Sequence, residues 1–98
     1  MLLRAYFQKK GFLVSIANTL AEGKRLVEEF QPDDVFLDHN LPDGTGWPSA
    51  PDLAAQRPNT RFFLISAYNP AEPQLAEGIV YHRLEKPVSF SHLDPFYQ

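Results

Sequence analysis

No cysteine occurs among the 98 residues, which excludes a disulfide framework and any thiolate metal centre and suits a reducing compartment. Long apolar runs are missing too. The longest, such as residues 62–65, reach four to five residues, far short of the roughly 20 needed to span a bilayer. The N-terminal stretch MLLRAYFQKK sets a short apolar start ahead of its charges, the reverse of a signal peptide. A cytoplasmic location with no membrane partner is therefore expected. Basic clusters are also lacking: the net charge is −3 with Lys and Arg scattered, so there is no electrostatic footprint for nucleic acid. A chain this short buries only about 60–65% of its unfolded surface, which leaves room for one modest core and a single domain over residues 1–98.

What is present alternates. Leu2, Leu3, Tyr6 and Phe7 recur at helical spacing before Gly11, predicting a helix over residues 2–10 with a glycine C-cap. LVSIA at 13–17 is apolar and β-branched enough for a strand. Asn18 or Thr19 can cap a helix over 20–30 whose inner stripe is Leu20, Gly23, Val27 and Phe30, stopped by Pro32. VFLD at 35–38 reads as a strand buried on both faces. A helix is expected over 47–56, with Pro48 and Pro51 confined to its first turn, then the strand RFFLIS at 61–66. Residues 70–76 can hold a turn or two of helix, 78–84 a last strand, and 89–96 a short helix interrupted by Pro95. Strands alternating with helix-sized segments predict an α/β fold, a three-layer sandwich around a parallel sheet.

In such a sheet, ligands gather at the carboxyl ends of the strands, where loops converge and helix N-termini point inward. Three polar groups fall there: Asp38 after VFL, Ser66 after FFLI, and Lys86 just beyond Leu84, separated by 28 and 20 residues. Each interval is about one crossover unit, so the sheet gathers all three. A carboxylate, a hydroxyl and an ammonium together suit phosphoryl transfer to an acid: the carboxylate attacks while the other two hold the phosphoryl oxygens. Alone, Asp38 reads as an Asx-turn residue, Ser66 as a strand-end hydroxyl and Lys86 as a solvated charge. The set is what carries the chemistry. The histidines His39, His82 and His92 lack metal-ligand spacing and read as surface or turn residues, Asp43 as a turn residue, and Trp47 as packing over the loop.

The motifs resemble those of response-regulator receiver domains of two-component signalling, a CheY-like, flavodoxin-like family. They are D-x-x-L-P-D-G-x-G as Asp38, Leu41, Pro42, Asp43, Gly44 and Gly46, then Ser66–Ala67, then Lys86–Pro87. The resemblance covers almost the whole chain. It implies that Asp38 is the phosphoacceptor, that Ser66 and Lys86 contact the phosphoryl group, that Pro87 is a cis-proline, and that a histidine kinase or phosphotransfer protein is the partner. It also implies Mg²⁺, held by Asp38, by the backbone carbonyl of Asn40 and by an acidic pair ending a first, central strand.

That strand and its acidic pair have no counterpart in this sequence, so an N-terminally truncated receiver with an incomplete metal set is expected. The gap could be closed by pairing 13–17 with 34–38, by a strand from another copy in a homo-oligomer, or by assembly. Arg83 stands where the family carries an aromatic switch residue, with Tyr81 two places earlier. Two other functions compete with the phosphoacceptor: a degenerate pseudo-receiver acting as an interaction module, and a haloacid-dehalogenase-like phosphatase. The latter wants a second acid where this chain has Asn40, and the chain is accordingly read as a non-enzyme.

Overall fold

The computed structural model describes residues 3–68 and 70–97. Helix α1, Leu3–Lys9, ends as its glycine predicts: Gly11 takes φ 90°, its N–H donates to the Gln8 carbonyl, and that of Phe12 reaches back to Phe7. Of the helix expected over 2–10, Leu2 lies outside the described residues. Helix α2, Leu20–Phe30, starts where the Thr19 hydroxyl accepts from the Glu22 N–H at 3.1 Å. Its inner stripe holds at Val27, but Phe30 is exposed.

The main sheet is parallel, in the order β1 (Asp34–Asp38), β4 (Arg61–Ser66), β5 (Tyr81–Glu85). Asp34 lies opposite Arg61 and Asp38 opposite Ile65, while Phe62 lies opposite Tyr81 and Ser66 opposite Glu85. This register brings the carboxyl ends of all three strands to one pole. A small antiparallel pair, β2 (Asn40–Leu41) and β3 (Gly44–Thr45), folds the loop after β1 into a hairpin. A 3₁₀ turn, Trp47–Ser49, leads into α3, Ala50–Gln56, so the single helix expected over 47–56 is two pieces. Pro48 and Pro51 sit in the first turn of each piece, where a missing N–H costs nothing.

Period-two alternation builds the layers. Val35, Leu37, Phe62, Leu64 and Tyr81 pack with α2 and α3 on one face, around Val27, Trp47, Ala50, Leu53 and Ala54. Phe36, Ile65 and Leu84 pack on the other face with Phe7 of α1 and Leu93 of α4, Phe90–Leu93. The three-layer α/β reading therefore stands. β4 is the centre, with Phe62, Phe63, Leu64 and Ile65 all buried. Each such side chain contributes about 1.5–3 kcal/mol by leaving water.

Several expectations need correction. Residues 13–17 form no strand and do not pair with β1, whose one neighbour among the described residues is β4. Leu13 and Ile16 are exposed there: β propensity stabilises nothing until a strand is paired, and this segment runs as irregular chain instead of joining the open edge of β1. Residues 70–76 hold no helix, because Pro70 and Pro73 remove donors and restrict the backbone before them. The last strand runs 81–85 rather than 78–84, with Gly78 at φ 92° turning the chain ahead of it. The C-terminal helix is a single turn of α followed by a 3₁₀ turn, Asp94–Phe96, broken at Pro95.

The pole opposite the strands' carboxyl ends is clasped by one cluster. Arg61 donates twice to Asp34, at 2.9 and 3.2 Å, and the Tyr97 hydroxyl donates to the same carboxylate at 2.5 Å. Burial, then that carboxylate, pushes the Tyr97 phenol upward, and the Asp34 hydrogen bonds raise the Arg61 guanidinium.

Candidate functional site at the carboxyl pole of the sheet

Strand β1 delivers Asp38 to its last position because its ladder with β4 continues one step further: the His39 N–H donates to the Ile65 carbonyl at 3.0 Å. The chain then turns sharply. The Asn40 N–H donates to Asp38 Oδ1 at 3.1 Å, the Asx-type contact expected of an acid at a turn. The Gly46 N–H closes the hairpin on the His39 carbonyl at 2.8 Å. Gly46 passes so close that a Cβ there would lie 2.1 Å from the Asp38 carbonyl oxygen. The buried Trp47 indole donates to the Leu37 carbonyl at 3.2 Å, fastening the loop from below.

Lys86 arrives from the loop after β5. Its backbone N–H donates to the Ser66 carbonyl at 2.9 Å, which fixes its origin beside the central strand. Its ammonium reaches Asp38 Oδ2 at 2.5 Å. The Lys86–Pro87 peptide is cis, as the motif led one to expect. Lys86 and Asp38 keep 34% and 28% of their side-chain surface, so the pair is sheltered yet reachable. A cleft of about 520 Å³ opens onto it, lined by Asp38, Lys86, Pro87 and Val88. Ser66 is buried at the end of β4, and its Oγ accepts the Tyr68 N–H at 3.2 Å. The three residues selected from the sequence thus share one pole, with Asp38 and Lys86 in direct contact and Ser66 joined to Lys86 through the backbone.

Other residues differ from expectation. Asp43 is more than a turn residue: it accepts from the N–H groups of Leu20 and Ala21 at 2.8 and 3.1 Å, capping α2 from across the loop. Those two backbone donors hold its carboxyl below the ordinary range. His39 is buried, 8% exposed, between Trp47 and Tyr68, with no hydrogen-bond partner for Nδ1 among the described residues. The signal lay in strand periodicity, since 35, 37 and 39 share a face. Tyr68, which no sequence motif singles out, donates its hydroxyl to Asn40 Oδ1 at 3.3 Å. Arg83 pairs with Glu72 at 3.2 Å and Tyr81 donates to the same carboxylate, tying β5 to the irregular segment before it.

By themselves these donors do not fit a divalent cation. Mg²⁺ wants carboxylate and water oxygens in octahedral array. Here Asp38 spends one oxygen on an ammonium and the other on an N–H, and both oxygens of Asp43 are occupied at α2. Among the described residues no three His, Cys, Asp or Glu cluster in a way that could hold a metal. No helix among them is long and apolar enough to cross a membrane.

No family model matches the chain. Over 61 residues the sequence is 33% identical to the photosynthetic apparatus regulatory protein RegA of Rhodobacter capsulatus and 31% identical to RegA of Cereibacter sphaeroides. Each match takes in 62% of this chain and 33% of the relative, so the chain spans about a third of the length of the curated relatives it matches. Among solved structures, the response regulator domain of Thermotoga maritima CheB superposes with a TM-score of 0.57, at 24% identity over 86% of this chain and 69% of that one. The fold is that of a response-regulator receiver domain.

Proposed function

We propose that this receiver-type fold serves two-component signalling, with Asp38 accepting a phosphoryl group from a histidine kinase or phosphotransfer protein. The observation that carries the reading is the 2.5 Å contact between Asp38 and Lys86 at the carboxyl pole of the sheet. In this reading a free lone pair of the Asp38 carboxylate attacks phosphorus. The bond from phosphorus to the donor's nitrogen or oxygen breaks, and the donor leaves with that electron pair. Lys86, already paired with the carboxylate, then holds a phosphoryl oxygen instead, so its charge stays matched throughout the transfer. Ser66 supplies a hydroxyl from the neighbouring strand end once it turns from its present bond. The hairpin keeps Asp38 at the surface by anchoring the backbone on both sides of it.

The test is incubation with acetyl phosphate, with and without Mg²⁺, followed by intact-mass measurement. The reading expects one phosphoryl group on the parent protein and none on Asp38→Asn. Uptake that persists in Asp38→Asn would overturn it.

A second reading is favoured by the donor set: a pseudo-receiver that works by protein contact, its aspartate unmodified because the present residues make no metal site. It expects no phosphoryl uptake under either condition and no Mg²⁺ binding by titration calorimetry. A stable homo- or hetero-oligomer in light scattering would accompany it.

A further inference from the structure

We propose that the open edge of β1 docks a second copy of this chain, whose segment 13–17 adds to it as a strand while the second copy's own β1 receives the same segment in return. The proposal rests on the edge of the sheet rather than on phosphoryl transfer, so it goes beyond both readings of Asp38. Odd-numbered residues in and beside β1 hold it to the sheet: the Arg61 N–H donates to the Asp33 carbonyl at 2.8 Å, and the His39 N–H donates to the Ile65 carbonyl at 3.0 Å. Neighbouring residues of a strand turn their backbone groups to opposite sides. The N–H and carbonyl groups of Asp34, Phe36 and Asp38 therefore face outward, and among the described residues none of them has a backbone partner there.

The occupant follows from what the chain offers and from charge. LVSIA at 13–17 has β propensity, yet among the described residues no hydrogen bond ties it to another element, and it leaves Leu13 fully exposed and Ile16 half-exposed. One element lacks a strand and the other lacks an edge. Within one chain they stay apart because the segment is fastened at both ends. The Phe12 N–H donates to the Phe7 carbonyl at 3.0 Å with its ring edge-on to Phe7 and Tyr97, and Ala17 lies against Gly23 of α2. Cavities leave the edge uncovered at both ends: one of about 550 Å³ opens between Phe12 and Asp34, and the cleft beside Asp38 opens at the other. Two β1 edges back to back are disfavoured, since antiparallel pairing about Phe36 would set Asp34 of one copy opposite Asp38 of the other, and like charges directly opposite destabilise a sheet. The segment 13–17 carries no charge.

An uncovered edge is a template for pairing with another chain, where main-chain hydrogen bonds supply the affinity. Exchange of the same segment about a two-fold axis uses both edges and closes the assembly at two copies. Asp38 is the last residue of that edge, so one end of the added strand lies at the pole that carries Lys86.

The experiment is sedimentation velocity of the whole chain over about 1 μM to 1 mM, the range of weak to moderate association, joined to amide hydrogen exchange read by NMR at low and high concentration. The mass should rise from one copy to two. As it does, the amides of Asp34, Phe36 and Asp38 should exchange more slowly, while those of Val35 and Leu37, already bonded to β4, should not change. Adjacent residues of an added strand direct their N–H groups to opposite sides, so one of Ser15→Pro and Ile16→Pro removes a ladder donor whatever the register. That variant should weaken the dimer about tenfold or more, and Ile16→Ala, which keeps its N–H, controls for the lost side chain. The segment makes no hydrogen bond within one copy among the described residues, so both proline variants should keep the parent's far-ultraviolet circular dichroism at low concentration. A single copy at every concentration would overturn the proposal, as would growth beyond two copies. A dimer indifferent to both proline variants, or one that leaves Phe36 exchange unchanged, uses another surface and overturns it as well.

Discussion

Replacing Gly46 by alanine places a methyl carbon 2.1 Å from the Asp38 carbonyl oxygen and 3.1 Å from Leu37 Cδ1. Gly46 sits at φ −78° and ψ −42°, a conformation open to any residue, so it is close approach rather than backbone freedom that demands glycine here. The loop must move away by about 1 Å to restore an ordinary carbon–oxygen contact. That movement breaks the Gly46–His39 hydrogen bond and pulls on Trp47, whose indole is bound to the Leu37 carbonyl. Forcing atoms into packed space costs about 1–3 kcal/mol, and one lost hydrogen bond adds about 1 kcal/mol. For a domain of this size each kcal/mol moves Tm by about 4–8 °C, so a loss of about 2–4 kcal/mol lowers Tm by roughly 8–32 °C. Thermal unfolding followed by far-ultraviolet circular dichroism reads this directly. A Tm within about 2 °C of the parent, well under one kcal/mol, would show that the hairpin does not pack against the Asp38 carbonyl and would refute the reasoning.

Gly23 should respond in the opposite sense: its nearest neighbour is Ala17 Cβ at an ordinary 3.6 Å, and Gly23→Ala inside α2 should stabilise by about 0.5–1 kcal/mol in urea unfolding. Asp43→Ala removes the acceptor for two N–H groups of α2 and should lower the urea midpoint at neutral pH. The folded Asp43 carboxyl is held below its ordinary value, so this contribution is fully present above about pH 4 and fades as acid protonates it. The gap between parent and variant should accordingly narrow by pH 2–3 in the same assay. Tyr97→Phe loses the hydroxyl bond to Asp34 and should cost about 0.5–1 kcal/mol, discounted because the tyrosine is partly exposed. The folded Tyr97 phenol is raised, so its contribution holds below about pH 10 and is lost above it; denaturant melts at pH 8 and pH 11 should show the gap closing.

The elements legible in the sequence are those whose stabilisation is local or fully buried. β4 was bounded to the residue because RFFLIS is apolar on both faces, and α2 because Thr19 caps it and Pro32 stops it. The strand expected over 13–17 failed for a non-local reason: β propensity states a preference, while a strand is stabilised only by pairing, and residues 13–17 do not join the open edge of β1. Leu2 aside, the helix before it ended where Gly11 said it would. At the site, strand ends and spacing located Asp38, Ser66 and Lys86, because a parallel sheet brings its carboxyl ends to one pole whatever the details of the loops. The loops themselves were not legible. The capping role of Asp43 and the position of Tyr68 depend on contacts between residues 22–28 positions apart, set only once the sheet exists. His39 is the instructive miss, since carrying the alternation of Val35 and Leu37 one step beyond the strand would have placed it inward.

The measurement that bears most directly on Asp38 is chemical trapping. Acyl phosphates are reduced by borohydride, so treating the protein with acetyl phosphate and then borohydride converts a phosphorylated aspartate to homoserine, which peptide mass spectrometry locates. Conversion at position 38, reduced at least about tenfold in Lys86→Ala, is the predicted result. Conversion at Asp43 or Asp34 instead, or none at any residue with and without Mg²⁺, would contradict it.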